Sequence, residues 1–111
     1  MAKEGRTITE ISQGRAVWLH LSATGPKELD VLRRRFRFPE ADLRDIPPPT
    51  QRPKAALRET YTFVILLFPT FDRAKKEIQI TEADFFVGKD YLVTVNQGNR
   101  VRSITDLVAR C

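Results

Sequence analysis

The chain has 111 residues and carries 19 Lys and Arg against 14 Asp and Glu, for a net charge of +5. That length holds one domain with its own core and not two. With 41% hydrophobic and 30% charged residues, the composition is that of a soluble globular domain and excludes intrinsic disorder.

The N-terminal stretch MAKEGRTITE has no apolar core of the signal-peptide type. Arg6 to Ser12 is short, rich in β-formers and reads as an edge strand, and Gln13-Gly14 is a turn signal. Ala16 to Leu21 alternates: Val17, Leu19 and Leu21 face one way, Trp18 and His20 the other. Pro26 suits the first turn of a helix, and Glu28 suits the positive end of its dipole. Leu29, Leu32 and Phe36 mark one helical face, with Val31 beside it. Phe38-Pro39 ends that helix and starts a second, Pro39 to Ile46, with Leu43 and Ile46 inward. Three prolines, Pro47 to Pro49, force the chain out of the helix and into a polyproline-like stretch.

Lys54 to Arg58 is expected to be extended. Tyr61 to Phe68 reads as a strand covered on both faces. Its last six residues, Phe63 to Phe68, form the longest wholly apolar run, far below the ~20 residues a membrane helix needs. Phe71 to Lys76 is read as a polar turn and Glu77 to Thr81 as a strand with Ile78 and Ile80 inward. Ala83 to Val87 and Tyr91 to Val95 flank a hairpin loop at Gly88-Lys89-Asp90. Ser103 to Arg110 is a helix with Ile104, Leu107 and Val108 on one face, and Ser103 with Asp106 suggests a capping box. The order predicts a single α/β/α sandwich, a mixed sheet with helices on its faces. The last helix begins close to Cys111, which gives the C-terminus the look of a cut through a longer protein.

The sequence offers little catalytic chemistry. The one His, His20, sits in a strand beside Trp18 and reads as structural. The glycines are scattered through turns, and no Cys/His set has zinc spacing. Cys111 is the single cysteine, so no disulfide forms within the chain, and a reducing, cytoplasmic setting is the natural reading. Two carboxylate groups stand out: Glu40, Asp42 and Asp45 on the second helix, and Glu82 with Asp84 in a strand. Asp42 and Asp45 are three apart, a spacing that puts both on one exposed side of a helix. A hard cation such as Mg2+ takes carboxylate oxygens, but one or two supply only part of a site. Arg33-Arg34-Arg35 with Arg37 reads either as a solvated helix side or as a contact for phosphate or acidic protein. Phe36 belongs with the core spacing, so the pattern for stacking on nucleic acid is weak.

Five segments in order resemble the N-terminal cytoplasmic domain of the CorA family of divalent-cation transporters. They are VWLHL (17–21), LRDI (43–46), QRPK (51–54), YTFVILLFPTFD (61–72) and FFVGKDYLVTV (85–95). The resemblance implies that residues 1–111 form a soluble regulatory domain without catalysis, at the cytoplasmic face of the inner membrane. The long stalk helix, the two transmembrane helices and the Gly-Met-Asn pore loop are absent from this chain. It implies a homopentamer in the full-length protein. It implies Mg2+ as the ion sensed and transported, with Co2+ or Zn2+ as further candidates. Asp45 matches the Asp of the family's Leu-Glu-Asp-Ile-like motif, which faces a carboxylate of the neighbouring subunit, and Asp42 lies beside it as a weaker member of that half-site. Arg44 stands where the family has Glu, which adds positive charge beside the site and should weaken cation binding. The family's acidic stalk gives Arg33 to Arg37 or Lys75-Lys76 a docking partner. A freestanding basic α/β module for nucleic acid or an acidic protein partner is the alternative.

Overall fold

The computed structural model describes residues 7–46 and 52–111. The proline run and Gln51 of the QRPK segment lie outside the described residues. Among the described residues, six strands form one mixed sheet: β1 (Ile8–Gln13), β2 (Ala16–Leu21), β3 (Lys54–Leu57), β4 (Tyr61–Asp72), β5 (Glu77–Gly88) and β6 (Tyr91–Val95). Their spatial order is β1-β2-β6-β5-β4-β3. Only β2 and β6 run parallel; the other neighbours are antiparallel. Helices α1 (Pro26–Phe36) and α2 (Glu40–Leu43) connect the two halves of the sheet, and α3 (Arg102–Arg110) follows β6.

The alternation in β2 is as expected. Leu19 and Leu21 join Leu32 of α1, Leu43 of α2, and Phe63, Ile65, Phe86, Val93 and Val95 in one core on the helix-bearing face. Phe38, in the bend between the helices, stacks on Phe36 at 5.2 Å and on Phe86 at 4.1 Å, and Phe86 stacks on Phe63 at 4.5 Å. That aromatic column carries packing from the helices into the centre of the sheet, each offset pair contributing about 1 kcal/mol beyond area burial. The bend itself needs a left-handed residue, and Arg37 supplies it at φ 59°, its N–H donating to the Arg33 carbonyl.

Trp18 and His20 point to the opposite face. Trp18 Nε1 donates to Thr94 Oγ1 (3.0 Å), Thr94 Oγ1 bonds His20 Nδ1 (2.6 Å), and His20 Nε2 bonds Asn99 Oδ1 (3.2 Å). Burial holds the imidazole below its ordinary pKa, with the Asn99 bond opposing in part. A neutral ring satisfies every bond: Thr94 donates to Nδ1 and Nε2–H donates to Asn99. His20 is therefore a tie between β2, β6 and the 3-10 turn Gln97–Asn99, the structural role its setting suggested. From that turn α3 crosses this face, and its C-terminal neighbour Cys111 lines a cleft with Ile11, Trp18 and Leu92.

Turn chemistry accounts for the hairpins. Gly14 at φ +60° opens the two-residue turn joining β1 to β2. At the end of β5, a Cβ on Gly88 would strike the Tyr91 ring, which packs on Phe36 and cannot yield freely. Asp72 Oδ1 accepts from the N–H groups of Ala74 and Lys75 and folds the turn at 73–76.

Four expectations are corrected. The second helix is a single turn, Glu40–Leu43, with a looser turn to Ile46. β4 runs on to Asp72, and residues 77–88 form one strand of 12 residues rather than two. Ile78 and Ile80 are 70% and 58% exposed, not inward. On β5, β6 pairs only with Asp84 to Val87, and on β4, β3 pairs only with residues 62–65, so the distal part of the β4–β5 hairpin projects past its neighbours. Ser103 does not cap α3. Val101 holds the cap position with no side-chain cap bond, and buried Asn96 fixes Val101 there: its Oδ1 accepts from Val101 N–H and its Nδ2 donates to Val101 O, both at 3.0 Å.

Candidate functional site

The corner where α2 ends brings together residues from α2, β3, β4 and β5. Asp42 and Asp45 do not share an exposed side. Asp42 is fully buried, while the Asp45 side chain is 33% exposed. The short α2 explains this: Leu43 and Ile46 go into the core, and Asp42, one residue before Leu43, is drawn under the β3–β4 connection. There Arg58 donates to both carboxylate oxygens, Nη2 at 2.5 Å and Nε at 3.1 Å, and the Tyr61 hydroxyl donates to Oδ2. Burial works against the charge on Asp42, but the bonds from Arg58 and Tyr61 outweigh it and hold the carboxyl below its usual pKa. Tyr61 is driven well above the usual phenol range, by burial first and then by its bond to Asp42.

Asp45 sits one turn further on. Lys54 Nζ of β3 donates to its Oδ2 at 2.6 Å, and the same ammonium lies 5.5 Å from the centre of the Phe63 ring. Behind this pair, on the helix-bearing face of β5, lies Asp84. It is 2% exposed, and its Oδ1 has no hydrogen-bond partner. Burial pushes Asp84 up to about 10, helped by a hydrogen bond to Glu82, by the charge of Glu82 and by that of Asp45. At neutral pH it is a neutral acid. Among the described residues, no group of three or more His, Cys, Asp or Glu is placed to hold a metal ion. The corner therefore offers at most part of a cation site, with Asp45 as its accessible carboxylate.

Three arginines of the cluster, Arg33, Arg34 and Arg35, are paired inside the domain, while Arg37 is exposed in the bend after α1. Arg33 pairs with Glu40 (2.5 Å) and Asp30 (3.2 Å), Arg34 with Asp30 (3.0 Å), and Arg35 with both oxygens of Glu10 on β1 (2.8 and 2.9 Å). Arg35 thereby anchors α1 to the edge strand. Sequence reasoning missed Arg58, Tyr61 and Lys54 as partners of the two aspartates. Lys54 stood in the QRPK segment, but nothing in the spacing tied it to Asp45.

Residues 13–111 match the family model described as CorA-like Mg2+ transporter protein. The chain belongs to the CorA family. Solved structures agree on the fold. The soluble domain of CorA from Methanocaldococcus jannaschii superposes with a TM-score of 0.66 at 17% identity, over 87% of this chain and 38% of that one. The complete CorA magnesium transporter from the same organism gives 0.71 at 18% identity, over 92% and 32%. The full-length CmaX protein gives 0.69 at 17% identity, over 85% and 29%. The chain thus spans between 29% and 38% of the length of these relatives. No curated protein sequence matches it. Within this CorA-family chain, no helix among the described residues is long and apolar enough to cross a membrane.

Proposed function

We propose that this chain is the cytoplasmic regulatory domain of a CorA-type transporter, with Asp45 as half of a divalent-cation site completed by a neighbouring subunit of a homopentamer. Residues 1–111 would form that domain, and the membrane part would lie outside them. The observation that carries the reading is the placement of Asp45: a partly exposed carboxylate in the turn after α2, paired with Lys54, on a CorA-type fold. Its oxygens suit a hard cation such as Mg2+ or Co2+, and a single carboxylate suits a shared site. Asp42 supports this site by anchoring α2 through Arg58 and Tyr61, leaving Asp45 to meet the ion. A bound cation would offset the repulsion between Asp45 and a facing carboxylate. It would thereby favour the assembly in which the two meet, because only that state offers the bridging geometry.

The test is limited proteolysis of the full-length transporter in membranes, with and without millimolar Mg2+. Protection by Mg2+ is expected in the parent, and its loss in Asp45→Asn. Equal protection of both would count against Asp45. Salt-sensitive capture of RNA or DNA by the domain would favour the alternative binding module.

A further inference from the structure

A cleft opens between the outer part of β4 and the segment that leads from the 3-10 turn into α3. Its charged lining is wholly positive: Arg73 from the turn at 73–76, and Arg100 and Arg102 from the start of α3. Phe68, Thr70 and Ser103 lie among its other walls. The volume is about 410 Å3, within the range of small-molecule sites. All three arginines are exposed, and among the described residues none is paired with a carboxylate. This sets them apart from Arg33, Arg34 and Arg35. Asp72, the acid next to Arg73 in sequence, is committed to its own turn. Its Oδ1 accepts from the N–H groups of Ala74 and Lys75, and its Oδ2 accepts from Gln79 Nε2.

The fold brings these like charges together from two elements far apart in the chain. A concavity lined by one sign of charge focuses the field and raises the local concentration of anions. Guanidinium groups match phosphate in geometry as well as charge, because their N–H donors meet two oxygens at once. Half-buried Phe68 alternates with the core residues Phe63 and Ile65 and so lies on the face that α3 crosses, where it gives the cleft an aromatic wall. We propose that this cleft binds a nucleoside di- or triphosphate, with phosphoryl oxygens on Arg73, Arg100 and Arg102 and the base against Phe68. A single phosphoryl group would leave part of the arginine charge unanswered, and a chain of them answers it. A nucleic-acid strand needs a longer track of cations and stacking rings than one cleft of this size provides. The site stands whether or not Asp45 binds a cation.

The experiment titrates the isotope-labelled 111-residue chain, which encloses its own core, with ATP, tripolyphosphate and inorganic phosphate. Amide shifts are expected at Thr70, Arg73, Arg100, Arg102 and Ser103, with ATP binding most tightly and inorganic phosphate least. Arg73→Ala and Arg102→Ala should each weaken the Kd for ATP about tenfold, close to 1.4 kcal/mol. Arg15→Ala removes the same charge from the exposed β1–β2 turn and should change it less than about twofold. Phe68→Leu should weaken ATP about fivefold and leave tripolyphosphate unchanged, a result that also shows the variant folded. Five results would overturn the proposal. They are no shifts at millimolar ATP, shifts centred on Arg33 to Arg37, an equal loss in Arg15→Ala, tripolyphosphate binding as tightly as ATP, or tighter binding to anionic phospholipid vesicles or single-stranded RNA. The third would reduce the binding to net charge, and the last would assign the cleft to a lipid headgroup or a nucleic acid.

Discussion

Asp42 and Asp45 lie three residues apart, and their surroundings separate them completely. The Asp42 corner is closed: a buried carboxylate meets three donor groups from two side chains, and each donor is bound to it. The Asp45 corner is more accessible: a partly exposed carboxylate has the partly exposed Lys54 among its partners, and behind them lies an acid with an unpartnered oxygen. A closed polar network fixes one arrangement and resists change. An open one can exchange a partner at small cost, and that is the property a regulatory ion site needs. The domain thus uses one aspartate to hold α2 in place, and on the reading proposed above the next is the one that meets the ion.

The largest expected effect breaks the closed corner. Asp42→Ala leaves the Tyr61 hydroxyl without its acceptor, while water can solvate the partly exposed Arg58, and should cost about 1–3 kcal/mol. Urea unfolding of the variant measures it. A loss under about 0.5 kcal/mol, the usual range for surface changes, would show that the corner is not the fastening described.

The open corner responds instead to pH. The Asp84 pKa is raised in the folded state, to about 10. Between about pH 4 and 10 the folded chain therefore holds a proton that the unfolded chain has released, and stability falls as pH rises through that window. His20 acts with the opposite sign. Its folded pKa is lowered by burial, so the unfolded state takes up a proton first, and stability falls as pH drops below about 6.5. Asp84→Asn keeps the shape of the neutral acid and should remove the alkaline loss while leaving the acid loss intact. Thermal melts of both proteins at pH 5.5, 7 and 9 decide this. A variant that melts lower than the parent at pH 9 would mean that Asp84 is ionised in the folded state after all.

The closed corner and the open hairpin also differ in how far the sequence discloses them. Strand β2 was legible because one face is buried and the other meets a polar network, so period-two alternation and structure coincide. In β5 the same periodicity correctly puts Ile78 and Ile80 on the core face. Periodicity assigns a face, however, and says nothing about whether any element covers it there. The burial of Asp42 was illegible for a related reason: the partner that neutralises it, Arg58, lies 16 residues further on, just past β3. Helical spacing alone makes Asp42 and Asp45 look equivalent. The cap of α3 was misassigned because Ser103 has the right local pattern, while the buried Asn96 is already in place from β6. The family resemblance reached the fold through the order of its segments, and none of those segments specifies which carboxylate is buried.

The smallest effect tests the open corner from its other side. Lys54 and Asp45 are both partly exposed, at 37% and 33% of their side chains, so their pair contributes at most about 1 kcal/mol. Lys54→Met keeps the aliphatic stem against Phe63 and removes the competing ammonium. Stability should change by less than about 1 kcal/mol. If Lys54 merely holds the carboxylate until an ion arrives, the variant in the full-length protein should bind Mg2+ up to about fivefold more tightly, because the ion no longer displaces a bound cation. If binding weakens instead, Lys54 is needed to aim Asp45, and the site depends on orientation more than on charge. Calorimetric titration with Mg2+ separates the two, since competition and orientation predict opposite signs from the same substitution.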